Sequence, residues 1–272
     1  MPELPEVETT RRGIAPHIEG QKIDQVTIRN HKLRWPIPSD LADILGGQTI
    51  QSISRRAKYL LFQCDSGLLI IHLGMSGHLQ IMTESDPIAK HSHFEIQLEN
   101  KLILRFTDPR RFGAVLWTQE KSDDYHLLNH LGPEPLSDDF SSEYLIPLLT
   151  GRRCSIKTFI MNGHYVVGVG NIYANEALFL ARIHPKTPAG EVVEADVDSL
   201  VRVIKEVLTK AIAAGGTTLK DFRKSDGKPG YFAQQLNVYG REGEACPQCA
   251  SLIKQYKESQ RASFYCPQCQ TL

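Results

Sequence analysis

The chain predicts an α+β, multidomain fold, and three observations carry that prediction. Up to about residue 132, short apolar segments alternate with polar residues at period two, and no helical crossovers separate them. From Val197 through Leu200, Val201, Ile204, Val207, Leu208, Ala211 and Ile212 the apolar residues keep helical spacing and stop at Gly215 and Gly216. Four cysteines then crowd into two Cys-Pro-Gln-Cys runs near the C-terminus. An N-terminal antiparallel β-sandwich, a helical part and a small cysteine-rich hairpin account for all three.

The first element expected is a flanking helix that Pro5 opens and that runs through about Gly13, with Glu6 and Glu8 complementing its positive end. Strands follow. Val26 and Ile28 alternate, Tyr59 to Phe62 and Leu68 to Leu73 form apolar runs, and Phe94, Ile96 and Leu98 face Leu102, Leu104 and Phe106 across the turn-like Glu99 and Asn100. Helical signals begin near Asp123, and Gly132-Pro133-Glu134-Pro135 reads as a hinge. Asn171 opens a further helix through Leu180. The domains expected are 1–132, 133–238 and 239–272.

Cys246, Cys249, Cys266 and Cys269 have the spacing of a four-thiolate zinc ribbon. Each Cys-x-x-Cys turn presents two sulfurs to one metal, and residues 250–265 suffice for a β-hairpin between the turns. Two disulfides instead would need an oxidising compartment. The start Met-Pro-Glu-Leu-Pro-Glu-Val-Glu-Thr-Thr-Arg-Arg lacks the apolar core of a secretory signal, and no run approaches the roughly 20 apolar residues of a membrane helix. A cytoplasmic protein is therefore expected, and with all four positions thiolates the zinc is expected to be structural. Cys64 and Cys154, in apolar surroundings, are expected to be packed small residues rather than reactive thiols.

Lys and Arg number 31, as do Asp and Glu, so any affinity for a polyanion must come from local sorting of charge. Tyr144 to Asn175 contains Arg152, Arg153 and Lys157 and no carboxylate. Within it, Val-Val-Gly-Val-Gly-Asn-Ile-Tyr, 166–173, places two glycines before a helix start, where backbone N–H groups can hold a phosphate. No third glycine or parallel strand fits a dinucleotide fingerprint. Lys101, Arg105, Arg110 and Arg111 outnumber Asp108 in a second stretch that ends in Asp-Pro-Arg-Arg-Phe-Gly. There Arg110 and Phe112 are either a solvated cation and a core ring or a wedge for a gap in a base stack.

Pro2 follows Met1 directly, and a small second residue permits removal of the initiator methionine, leaving a secondary amine at the chain start. An α-amino group titrates near 7.7–8.0 against about 10.4 for lysine, so far more of it is nucleophilic at neutral pH. Attack of a secondary amine on an aldehyde-level carbon gives a cationic iminium, an electron sink for a neighbouring elimination. Glu3 and Glu6 lie within a turn of it, either as proton carriers or as helix-end charges.

These residues, with Arg-Arg-Ala-Lys-Tyr-Leu at 55–60, His-Leu-Gly-Met-Ser-Gly at 72–77, Gly-Val-Gly-Asn-Ile-Tyr at 168–173 and Ser-Asp-Gly-Lys-Pro-Gly-Tyr-Phe at 225–232, resemble bacterial formamidopyrimidine-DNA glycosylases in collinear order over the whole chain. The resemblance implies a β-sandwich, a helix-two-turns-helix domain and the ribbon, acting on double-stranded DNA that contains oxidised purines or abasic sites. It implies that Pro2 is the Schiff-base nucleophile, that Glu3 is the acid assisting ring opening, that Lys58 is the proton donor for β-elimination, and that Arg261 grips phosphate and supports δ-elimination. Met75, Arg110 and Phe112 would fill the gap left by the extruded base, with Arg110 facing the orphaned cytosine; His91, Arg152 and Asn171 match DNA-contacting positions, Arg153 being an alternative to Arg152. Glu6, Lys220, Ser225 and Tyr231 would form the lesion pocket. Extrusion of the base costs a few kcal/mol of unstacking that wedge and phosphate contacts offset.

Two other readings stand beside this one. An endonuclease VIII-like glycosylase would share the nucleophile and act on oxidised pyrimidines; a non-catalytic zinc-ribbon DNA-binding protein would leave Pro2 without a use. A small keto-acid tautomerase using the same proline has no need of the ribbon or of the basic loops. A monomer without a required protein partner is expected, with its cations sorted to one face and carboxylates such as Asp138, Asp139, Glu143, Glu191, Glu194, Asp196 and Asp198 elsewhere.

Overall fold

The computed structural model describes residues 2–216 and 235–272. They divide into two compact units, one running through His130 with Ala214 to Gly216, the other comprising Leu131–Ala213 with the chain from residue 235 onward.

In the first unit, helix α1 (Leu4–Ile18) begins on a reciprocal capping box, in which the Glu3 side chain accepts from the Glu6 backbone and the Glu3 N–H donates to Glu6 Oε2 at 2.9 Å. The helix continues past Gly13 because Ile14 and Ile18 are both fully buried. Burying each is worth about 1.5–3 kcal/mol, more than the roughly 1 kcal/mol that a helical glycine costs. After α1 come β1 (Ile23–Ile28), a short α2 (Leu41–Leu45), β2 (Ile50–Arg56), β3 (Tyr59–Cys64), β4 (Gly67–His72), β5 (His78–Met82), β6 (Ser92–Leu98), β7 (Ile103–Thr107) and β8 (Ala114–Thr118). They form two four-stranded sheets, ordered β1-β6-β7-β5 and β2-β3-β4-β8, with every pair antiparallel. One core joins both sheets and α1 through Ile14, Ile18, Phe62, Leu69, Ile71, Phe94, Ile96, Leu104, Phe106 and Val115. This is the expected sandwich.

Glu8 on α1 accepts from Arg11 Nη2 at 2.9 Å, Arg12 Nε at 2.8 Å and Arg55 Nε at 3.1 Å, which ties the helix to β2. Burial alone would raise its pKa; the hydrogen bonds from Arg11 and Arg12 and the charges of Arg11 and Arg55 overcome this and hold it at about 2. Because the folded value lies below the ordinary 4.5, the stabilisation is fully present above about pH 4.5 and is lost as pH falls toward 2. Glu8→Gln should therefore flatten the acid limb of a stability-against-pH curve in that window, as read by denaturant titration.

Residues 123–131 do not open a helix: isolated turns such as Leu128 N–H to Tyr125 O, 2.8 Å, fail to propagate. The first helix of the second unit is α3 (Ser142–Leu149), capped by Ser141, followed by α4 (Ile156–Ile160), α5 (Asn171–Leu180) and α6 (Glu194–Ala213). The apolar stripe of α6, from Val197 to Ile212, packs on α3 and α5. Gly132, just after the division between the units, donates its N–H to Gly163 O at 2.8 Å within the second unit, and a Cβ there would lie 2.7 Å from His164 O. The C-terminal hairpin pairs β9 (Lys254–Glu258) with β10 (Arg261–Tyr265).

Cys64 is buried, and burial pushes its thiol up to about 12. Cys154 departs from expectation and is exposed; its carbonyl accepts from Ala189 N–H at 2.8 Å. No helix among the described residues is long and apolar enough to cross a membrane.

Candidate active site and nucleic-acid interface

Pro2 is buried and immediately precedes the α1 cap, with Glu3 and Glu6 each 1% exposed. The positive end of a 15-residue helix thus lies one residue from the proline nitrogen and disfavours a cation there. The two carboxylates oppose that effect, and the Glu3 side chain also accepts the Glu6 N–H. Gly216, at φ +78°, runs so close to Glu6 that a Cβ would sit 3.0 Å from Oε1. Lys220, Ser225 and Tyr231 lie outside the described residues.

Lys58 occupies the two-residue turn between β2 and β3, which Ala57 makes in the left-handed region (φ +54°) and Arg55 Nη1 closes by donating to Ala57 O at 2.9 Å. His72, opposite Tyr59 on β4, packs against that ring with centroids 4.8 Å apart. Loss of water around the imidazole, then the charges of Lys58 and Arg34, depress its pKa to about 4, against a smaller pull from Asp108. It is neutral at pH 7, and its Nδ1 accepts the Gly74 N–H at 3.0 Å.

Met75, Arg110 and Phe112 come together on adjoining loops and line one cavity of about 740 Å³. Phe112 is 43% exposed, and the Arg110 guanidinium stacks 5.0 Å from its centroid. What holds these loops is Asp108, fully buried. Its Oδ1 accepts from Ser76 Oγ at 2.6 Å and its Oδ2 from the Gly113 N–H at 2.8 Å, while Ser76 Oγ accepts the Arg110 N–H at 3.1 Å. Its backbone accepts from His93 Nε2 at 2.8 Å and donates to His91 O at 3.1 Å. The Asp108 carboxylate therefore indexes the neighbours of Met75 and Phe112 and, through Ser76, the Arg110 backbone, while the Asp108 backbone holds His91 and His93. Asp108→Asn, which exchanges an acceptor for a donor beside N–H and O–H groups, is expected to cost about 2 kcal/mol of stability. It should also weaken binding to a duplex carrying an abasic-site analogue about tenfold or more, checked by denaturation and by anisotropy; an unchanged affinity would remove Asp108 from this role.

In the second unit the four cysteine sulfurs lie within 4.8 Å of one another, with Cys246 to Cys269 at 3.9 Å and Cys249 to Cys266 at 3.4 Å. A tetrahedron of sulfurs about 2.3 Å from zinc has edges of about 3.8 Å, so the set fits one ion and leaves no position open for substrate. Backbone N–H groups of Gln248 and Cys269 point at Cys246 and Cys266 sulfurs, each at 3.4 Å. These residues hold one structural zinc ion.

Arg261 follows the hairpin turn Ser259-Gln260, both at positive φ, and lines a cavity of about 270 Å³ with Lys157, Thr158, Met161, Asn162, Glu258 and Ser259. The next carbonyl, Ala262 O, accepts from Lys157 Nζ at 2.9 Å and Asn171 Nδ2 at 3.0 Å. Asn171 Oδ1 is buried with no hydrogen-bond partner among the described residues. Arg152 donates to Leu148 O at 3.1 Å and lies 5.4 Å over the Tyr165 ring, and both Arg152 and Arg153 are exposed.

Family models match along the chain: the formamidopyrimidine-DNA glycosylase N-terminal domain over residues 1–115, the formamidopyrimidine-DNA glycosylase H2TH domain over 131–223, and a zinc finger found in FPG and IleRS over 243–272. A formamidopyrimidine-DNA glycosylase of Hydrogenovibrio crunogenus is 56% identical over 99% of this chain and 96% of its own length. The chain belongs to the formamidopyrimidine-DNA glycosylase family. Another member, from Shewanella woodyi, is 54% identical over all of both chains. Among solved structures, a complex of Lactococcus lactis Fpg with abasic-site-containing DNA has a TM-score of 0.92 at 36% identity over the whole of both chains. A complex of a Lactococcus lactis FPG mutant with Fapy-dG-containing DNA has a TM-score of 0.92 at 35%, again over both whole chains.

In this glycosylase, several residues that organise the candidate site escape a reading of sequence alone. Asp108 looks like one more surface charge in a basic stretch, and Lys157 like part of a basic patch, yet Lys157 is 3% exposed and also donates to Ser263 Oγ at 2.7 Å. Arg105, counted with the basic stretch, is 2% exposed and paired with Glu95, and Lys101 pairs with Asp24 at 3.4 Å. Glu176, 1% exposed on α5, accepts the N–H groups of Asn237, Val238 and Tyr239 at 2.8–3.0 Å and so fixes the approach to the ribbon. The Asp-Pro step and a Glu inside an apolar helix are the available signals for two of these.

Proposed function

We propose that this DNA glycosylase of base excision repair excises oxidised purines, chiefly 8-oxoguanine and formamidopyrimidines, from duplex DNA through an iminium to Pro2 and then cleaves the strand by β,δ-elimination. The observation that carries the reading is the buried proline next to a capped helix end, with buried Glu3 as the cap and buried Glu6 in the first turn. With Met1 removed, the Pro2 nitrogen attacks C1′ of the extruded nucleotide. The C1′–N bond to the base breaks, the departing base takes up a proton, and Glu3 protonates the ring oxygen as the sugar opens. The resulting iminium accepts the electron pair released when a C2′ proton is lost, and the 3′ phosphate departs with Lys58 as the proton carrier. A second elimination expels the 5′ phosphate, held by Arg261, and water releases the sugar fragment from Pro2.

Met75, Arg110 and Phe112 occupy the vacated stack in this reading, His91, Asn171 and Arg152 or Arg153 hold phosphates, and Glu6 with Lys220, Ser225 and Tyr231 receives the lesion. The zinc ion has no chemical step; it holds the hairpin that carries Arg261. A cytoplasmic monomer suffices.

Borohydride added to the protein with duplexes containing 8-oxoguanine, thymine glycol or an abasic site tests this. A covalent adduct and strand cleavage on the first and third are expected. Cleavage of thymine glycol alone would establish the endonuclease VIII-like reading, and the absence of any adduct would leave a binding protein.

A further inference from the structure

Gln25 to Ser39 contains Arg29, Lys32 and Arg34 and no carboxylate. Arg29 is spent internally, 2.7 Å from Glu95. The tip beyond it is built rather than slack. Lys32 and Pro36 form a bridge, Asn30 Oδ1 accepts the Lys32 N–H at 2.9 Å, the Ile37 N–H donates to His31 O at 2.9 Å, and Ile37 is 2% exposed. The Arg34 N–H donates to Gly113 O at 3.2 Å, which ties the tip to the loop carrying Arg110 and Phe112.

The tip gathers cations that no carboxylate among the described residues neutralises. Elsewhere in the first unit Arg11, Arg12 and Arg55 pair with Glu8, Lys22 with Glu99, Lys101 with Asp24, and Arg105 with Glu95. Among the described residues, Lys32, Arg34, Arg110 and Arg111 pair with no carboxylate, and all four line the same cavity of about 740 Å³ beside Leu33, Met75 and Phe112. Arg34 is braced 4.7 Å over the Trp35 ring, which keeps its guanidinium extended at little entropic cost. Four unpaired cations held together on two tethered loops repel one another, and a polyanion relieves that repulsion.

We propose that Lys32 and Arg34 form a second phosphate clamp, which binds the DNA backbone running past the wedge and adds two neutralised phosphates to the footprint of Arg110. This rests on the DNA-glycosylase reading above. Fixing the backbone beside the wedge sets the register in which Phe112 meets the stack, while the clamp itself reads no base.

The test is anisotropy of the full-length zinc-loaded protein on a duplex with an uncleavable abasic-site analogue, from about 50 to about 200 mM salt. Each neutralised phosphate contributes a slope of about −0.9 to log K against log salt. Arg34→Gln should flatten the slope by about 0.9 and the Lys32→Gln/Arg34→Gln pair by about 1.8. The single variant then loses roughly three- to fourfold less affinity across that range than wild type. Arg34→Lys, which keeps the charge, should restore the slope, and Lys22→Gln, which removes an exposed cation already paired with Glu99, should leave it unchanged. A wild-type slope in the double variant, with wild type still binding and forming the borohydride adduct, overturns the clamp alone. Wild-type protein that neither binds nor forms the adduct overturns the underlying reading instead.

Discussion

Pro2→Gly is expected to lose most of the borohydride-trapped adduct on abasic-site DNA, and protein that retains Met1 is expected to lose all of it. The difference follows from the nitrogen. A retained Met1 leaves an amide whose lone pair is delocalised and which cannot attack C1′. The glycine variant presents a primary amine, which forms an imine that must be protonated before it draws electrons, whereas the proline adduct is a cation as soon as water departs. Glu3→Gln separates the two halves of the reaction. Loss of a general acid costs about 10²- to 10⁴-fold in rate, and that cost should fall on base removal from 8-oxoguanine duplex. On a preformed abasic site the sugar already opens by itself, so trapping should survive far better. Single-turnover cleavage on both substrates, with gel-resolved adducts, checks these expectations. Equal trapping by wild-type and Met1-retaining protein would show that another amine, with Lys58 the first to examine, carries the chemistry.

How much of this was legible depends on the range of the interaction. Phe94, Ile96 and Leu98 against Leu102, Leu104 and Phe106 announced their hairpin because strand periodicity and turn residues are local, and the ribbon was readable because metal geometry restricts cysteine spacing. The helix after Asp123 was misplaced, since short turns share composition with a helix start. Charge was hardest to read. Whether Arg105, Lys157 or Arg34 faces water or a partner depends on residues up to 106 positions away, such as Ser263 for Lys157, and a local count of cations contains none of that information. The same blindness hid Asp108, which meets Ser76, His93 and Gly113 only after β4, β6 and β7 have brought them together.

Zinc removal, by chelation or by Cys246→Ser, should abolish tight DNA binding while leaving the first unit folded. The apolar cluster under the ribbon comprises Phe179, Val238, Cys246, Ile253, Phe264 and Cys266. Four large apolar side chains do not by themselves offset the chain entropy of ordering a segment as long as 246–269, so the free energy of binding the metal is part of the ribbon's folding free energy. Without it the contacts of Lys157 and Asn171 with Ala262 O, and of Asn175 Oδ1 with the Phe264 N–H at 2.7 Å, have no fixed strand to grip. Arg261 then loses its position. Affinity for the abasic-site duplex should fall by about 100-fold or more, the equivalent of two ionic contacts of about 1.5 kcal/mol each. The Pro2 adduct should persist at high protein concentration, because the nucleophile belongs to the sandwich. Circular dichroism and trapping measured before and after zinc is restored distinguish the two units: loss of the adduct together with the sandwich signal would mean that the metal supports the whole chain rather than the ribbon.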